Sequence, residues 1–138
     1  MRLKLVLLLS ACLGAIGLTG CVGTIDGRQQ VGVPFIKDRL ERRYERTPNE
    51  IWDATKEVLK YNGTVYSEDT LKSTLEASVD QRTVWVRIEE IDPKVSKVTV
   101  QARTKAGVGD METASWIIEQ IGLRLATGTL TPKAPTTR

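Results

Sequence analysis

Four segments of the chain alternate apolar and polar residues with a period of two. In 73–79, Leu75, Ala77 and Val79 point one way while Thr74, Glu76 and Ser78 point the other. In 83–90, Val84, Val86 and Ile88 oppose Trp85, Arg87 and Glu89. In 97–103, Val98, Val100 and Ala102 oppose Thr99, Gln101 and Arg103. Successive side chains of a strand leave on opposite faces, so this pattern predicts antiparallel strands with one face on a core. Asp80-Gln81-Arg82 and Asp92-Pro93-Lys94 suit the turns between them. The fourth segment, 39–44, is less regular because Arg42 shares a face with Leu40 and Tyr44. An edge position would let Arg42 reach water. A short strand near 64–67 completes the set.

Two segments carry the helical period instead. Thr47-Pro48-Asn49-Glu50 fits a capping box with proline at the first helical position. Ile51, Ala54, Thr55, Val58 and Leu59 then share one face, which predicts a helix over 48–61. Asn62-Gly63 supplies the stop, with glycine free to turn left-handed. A second helix starts after Asp110 as N-cap, with Ala114, Ile117, Ile118, Ile121 and Leu125 as its stripe. Gly122 lies beside that stripe and suits close packing on the sheet. Trp52 and Trp116 flank the two stripes at the edge of the core. The order is β-α-β-β-β-β-α. The expected fold is α+β, a two-layer sandwich in which an antiparallel sheet carries both helices on one face.

The N-terminal segment follows neither period. Arg2 and Lys4 precede an apolar run from Leu5 to Ile16, broken only by Ser10, Cys12 and Gly14. A positive start, a short apolar run and small residues are the layout of an export signal, and the run is too short to span a bilayer as a helix. The alternative is a buried N-terminal helix, against which the positive start argues. Leu18-Thr19-Gly20-Cys21 resembles a bacterial lipobox. That resemblance implies a signal peptide over 1–20 and a mature chain that begins at Cys21. Cys21 would carry a diacylglycerol thioether and an N-acyl chain such as palmitate. Two or more chains hold stably where one is marginal, so the partner implied for Cys21 is a membrane. Val22 stands where enteric-type sorting would place Asp to retain a lipoprotein in the inner membrane. The implied location is therefore the outer membrane, facing the periplasm.

Both cysteines are then accounted for. Cys12 leaves with the signal and Cys21 holds lipid, so no thiol remains for a disulfide, a nucleophile or a metal. Residues 21–36, with Gly23, Gly27, Gly32 and Pro34, read as the lipidated cysteine and a tether. Residues 37–126 read as one domain and 127–138 as a disordered tail rich in Thr and Pro. Without Arg2 and Lys4, the 20 Lys and Arg fall to 18 against 17 Asp and Glu, a net of +1. No basic block suits a nucleic-acid backbone.

The stretches 40–63, 74–91 and 97–121 resemble an uncharacterised family of small bacterial lipoproteins. Tyr44, Trp52, Ala54, Leu75-Glu76-Ala77 and Gly109-Asp110 carry the likeness. Those are packing and capping residues. The element order is also similar to the helix-grip domains of the accessory lipoprotein C of the β-barrel assembly machine, an analogy of fold and location.

Catalytic chemistry finds little footing. The chain has no histidine, which removes a Ser-His relay and an imidazole metal site. Glu89 and Glu90 are neighbours in a strand and point apart. Asp53 and Glu57 have Lys56 and Lys60 three residues on, the pattern of a solvated helix face. In Gly107-Val108-Gly109-Asp110 the Asp would repel an anion at the helix start. No enzyme activity, cofactor or metal is expected.

The remaining candidate is the sheet face away from the helices. Trp85 falls there with Arg87, Glu76, Thr99, Gln101 and Arg103. An aromatic among arginines and polar residues suits a protein interface. The competing reading is a single tryptophan covered by cross-strand neighbours or by the tether. The expected function is a lipid-anchored binding or structural module of the envelope with a protein partner. The alternative is a carrier of a small ligand or lipid in a groove between sheet and helix.

Overall fold

The computed structural model describes residues 20–32 and 37–130. Leu18, Thr19 and the rest of the expected signal lie outside these residues, as does the tail from 131. The elements are β1 (Gly20–Gly23), β2 (Gln29–Gly32), β3 (Arg39–Tyr44), α1 (Pro48–Asn62), β4 (Gly63–Asp69), β5 (Thr74–Val79), β6 (Arg82–Asp92), β7 (Val95–Arg103) and α2 (Met111–Thr127).

Strands β3 to β7 form one antiparallel sheet in the order β3-β7-β6-β5-β4. With α1 and α2 this is the expected α+β order, and both helices pack on one face. The alternating apolar positions meet there. Leu75, Ala77, Val79, Val84, Val86, Val98, Val100 and Ala102 are buried with Ile51, Val58 and Leu59 of α1 and Ala114, Ile117, Ile118 and Ile121 of α2. Fully burying each large aliphatic side chain contributes roughly 1.5–3 kcal/mol. Trp52 and Trp116 pack half-buried against this core, with Tyr44 and Leu125.

Local signals set the boundaries. Glu50 and Thr47 exchange the two capping-box hydrogen bonds at the start of α1, with Pro48 in the first turn. Asp110 accepts from the Thr113 amide at 2.9 Å and caps α2. The β5–β6 turn is only Asp80-Gln81, both with positive φ, as a tight hairpin with the native twist requires.

Three expectations are corrected. Gly63 does not end α1 in a left-handed turn; it is extended and opens β4. Its glycine character serves another need, because a Cβ there would collide with the Ser78 carbonyl of β5. The tail does not begin at 127. α2 runs to Thr127, left-handed Gly128 returns an N–H to the Arg124 carbonyl at 2.9 Å, and Leu130 packs on the core. The segment expected as a tether, 21–36, is ordered structure over its described residues 21–32. β1 and β2 pair antiparallel, Cys21 opposite Val31, and the turn between them docks on the sheet.

Arg42 is exposed on edge strand β3. Its guanidinium and the Tyr44 ring lie over Gly122, where a Cβ would come within 3.4 Å of the ring. The Tyr44 hydroxyl donates to the Ile118 carbonyl at 2.6 Å, tying β3 to α2.

Candidate functional site: the strapped outer face

The sheet face away from the helices gathers the predicted residues in register. Glu76 of β5 pairs with Trp85 of β6, Trp85 with Gln101 of β7, and Gln101 with Arg39 of β3. Arg87 pairs with Thr99, and Thr83 with Arg103. All six side chains expected on this face are brought together.

The face is not open: of the two readings of Trp85, an exposed interface is corrected and cover by the segment expected as a tether is what the structure has. Trp85 and Gln101 are 0% exposed, Arg103 2% and Thr99 7%. The cover is the turn Thr24–Arg28, supplied by the chain itself. Ile25 is 4% exposed. Its amide donates to Gln101 Oε1 at 2.9 Å, and its carbonyl accepts from Arg87. Arg39 donates to the Gly23 carbonyl at 2.6 Å, and Arg103 to the same oxygen at 3.4 Å. Lys72 Nζ donates to the Asp26 carbonyl at 3.1 Å. Arg28 stands 3.7 Å from Glu76. The segment thus runs across the row Gln101–Trp85–Glu76 as a strap.

The strap is internally closed. Thr24 donates its amide to the Arg28 carbonyl at 2.8 Å, and Gly27 to the Thr24 carbonyl at 3.1 Å. Gly27 has φ +87°, which favours glycine. Beneath it, Asp38 Oδ2 accepts from Gln101 Nε2 at 2.5 Å and from Arg103 Nε at 2.7 Å. Gln101 is thereby oriented with its oxygen toward Ile25. A Cβ on Gly109 would come within 2.7 Å of Asp38 Cβ, so glycine there lets the loop before α2 close on Asp38.

The electrostatics under the strap are less well balanced. Burial, and next the Asp26 charge, push the Glu76 carboxyl above its ordinary pKa, with Arg28, Trp85 and Tyr66 opposing. The buried Arg103 Nη1 makes no hydrogen bond, and Trp85 faces the Glu76 carboxylate. Buried donors are normally satisfied.

Sequence reasoning missed Ile25, Asp38, Arg39 and Lys72. The Asp26-Gly27 pair is a hairpin signal that would have argued against a free tether. Elsewhere, the helix lysines do not answer Asp53 and Glu57: Lys56 reaches Glu68 of β4 at 2.7 Å, and Glu57 pairs with Arg124 of α2 at 2.5 Å. No group of three or more metal-ligating side chains is present among the described residues. Cys21 is exposed. The cleft lined by Pro48, Trp52, Ser73 and Ile88 measures about 140 Å³, below the ~300–1,000 Å³ usual for ligand pockets, whereas open clefts beside Thr83, Trp85 and Arg103 and beside Leu40 of β3 and Met111 of α2 measure about 420 and 400 Å³.

These features define a small two-layer α+β domain whose second sheet face is covered by its own N-terminal hairpin. The chain belongs to the DUF3568 family, described as a protein of unknown function, whose model matches residues 2–123. Among solved structures, a conserved protein of unknown function, EF2215 from Enterococcus faecalis, is similar at 11% identity, with 70% of this chain and 72% of that chain covered and a TM-score of 0.45. No curated protein matches.

Proposed function

We propose that this protein is a lipid-anchored module of the bacterial envelope that binds protein partners or supports envelope structure without catalysis. In this reading Cys21 carries the lipid, and the domain faces the periplasm from the outer membrane. The observation that carries it is the path from Cys21 to the domain. Cys21 is exposed in β1, and two residues later Gly23 is held by Arg39 and Arg103. An acylated Cys21 therefore hands its anchor directly to the polar face of the sheet. Two or more acyl chains suffice for stable attachment, and no helix among the described residues is long and apolar enough to cross a membrane.

The test is fractionation with fatty-acid labelling. The unaltered chain should enter the outer-membrane fraction and take up label, while Cys21→Ser should do neither. Label-free, soluble wild-type protein would overturn the anchor. Crosslinking in native membranes tests the module: a defined envelope protein should be captured by the unaltered chain.

A further inference from the structure

The contacts of the strap have an unusual chemistry. Gln101, Arg87, Arg39, Arg103 and Lys72 all bind main-chain atoms of residues 23–26, either an amide N–H or a carbonyl. Ile25 is the one apolar side chain of Thr24–Arg28, and it is buried along with Thr24. Main-chain contacts around a buried anchor are a way that proteins hold peptide segments. Such a surface tolerates other sequences in its backbone contacts and selects at the anchor. One buried donor on the same face, Arg103 Nη1, is left without an acceptor by the strap. A segment carrying one more acceptor beside Arg103 would satisfy what Thr24–Arg28 does not.

We propose that the outer sheet face is a peptide-binding site, masked in cis by Thr24–Arg28, for a partner-protein segment that presents its main chain around one branched aliphatic residue. Ile25 and the main chain on either side of it are the template for that ligand. The proposal rests on the binding-module reading and names its partner class. Masking lowers the apparent affinity of the partner by the fraction of molecules whose strap is undocked. The site is therefore silent in most molecules until the strap leaves, and a partner takes the place of the strap rather than adding to it.

The test uses the detergent-solubilised full chain and a labelled synthetic peptide with the sequence of residues 22–29. Ile25→Gly removes the anchor of the strap without touching the sheet. The peptide should bind this variant at least ~10-fold more tightly than the unaltered chain, as a competent fraction below about one in ten requires. Replacing the isoleucine in the peptide by aspartate should abolish binding, as should Gln101→Leu in the Ile25→Gly chain. Hydrogen exchange should show the Trp85 indole freed in Ile25→Gly. Equal binding to both chains, binding to neither, or an indole that stays protected in Ile25→Gly would each overturn the proposal. Capture of an envelope partner by the unaltered chain without peptide binding would overturn this inference and leave the module reading standing. Peptide binding with no partner captured would support the site and count against the module reading.

Discussion

The Ile25 amide donates to the side-chain oxygen of Gln101 across 76 positions of sequence. Gln101 is fixed for this role by its own amide group, which donates to Asp38. One buried glutamine thus joins the N-terminal hairpin to the sheet. Gln101→Leu should leave the Ile25 N–H unpaired at a cost of about 1–3 kcal/mol. Amide exchange at Ile25 should accelerate far more than exchange in β6, because the strap opens before the sheet does. Equal acceleration in both would contradict a separable strap.

Ile25→Ala truncates a nearly fully buried side chain. Such changes in a core cost about 2–5 kcal/mol, but undocking of the strap caps the loss here. Thermal unfolding of the domain should therefore shift little, while tryptophan emission moves to the red as Trp85 meets water. A large fall in Tm without a spectral change would mean that the strap and the domain unfold together.

Trp85→Ala is a different experiment. Its side chain is fully buried, and Trp→Ala in a core costs about 3–5 kcal/mol. The expected result is a strongly lowered denaturant midpoint. A partner lost in that variant would report unfolding as readily as recognition, so Ile25→Gly is the sharper probe of the face.

Glu76 and Asp110 give opposite pH dependences. Burial and the Asp26 charge raise the Glu76 pKa in the docked state. A raised pKa contributes stability that is full below the ordinary carboxylate range and is lost as pH rises through the raised value. Burial would also raise Asp110, but its bonds to the Thr113 amide, Arg82 and the Thr113 hydroxyl outweigh that and lower it. Its contribution is full above the ordinary range and is lost as pH falls through the lowered value. Exchange at Ile25 should speed up as pH rises, after correction for the intrinsic rate, and Glu76→Gln should flatten that slope. Asp110→Asn should instead reduce the loss of α2 in acid.

Gly63→Ala places a methyl group against the Ser78 carbonyl. Overpacking of this kind typically costs 1–3 kcal/mol or more. Calorimetry should show a Tm well below that of Thr47→Ala, where only a helix cap worth about 1 kcal/mol is lost.

The sheet was legible because a half-buried antiparallel strand must alternate. Val84-Trp85-Val86 follows that rule even though both of its faces are covered. The caps at Thr47 and Asp110 were legible because their partners sit within three residues. Gly63 was misread because its reason lies in Ser78, on a different strand. The strap was misread because its bonds join Ile25 to Gln101 and Arg87, far along the chain, through groups that leave no periodic trace. The six residues of the outer face were correctly gathered and the tether was weighed as a cover for Trp85, but the contacts of Ile25, Asp38, Arg39 and Lys72 that hold it there were the missing part.

With the strap docked, a lipid on Cys21 is two residues from a clasped carbonyl, about 7 Å of chain at full extension. With the strap free, seventeen residues separate Cys21 from Asp38, up to about 60 Å. For an acylated chain the clasp is then a ruler with two settings, one that keeps the domain flat against the bilayer and one that lets it sample a shell several times deeper. In such an acylated chain, whatever displaces Ile25 would also change how far from the membrane the domain can reach.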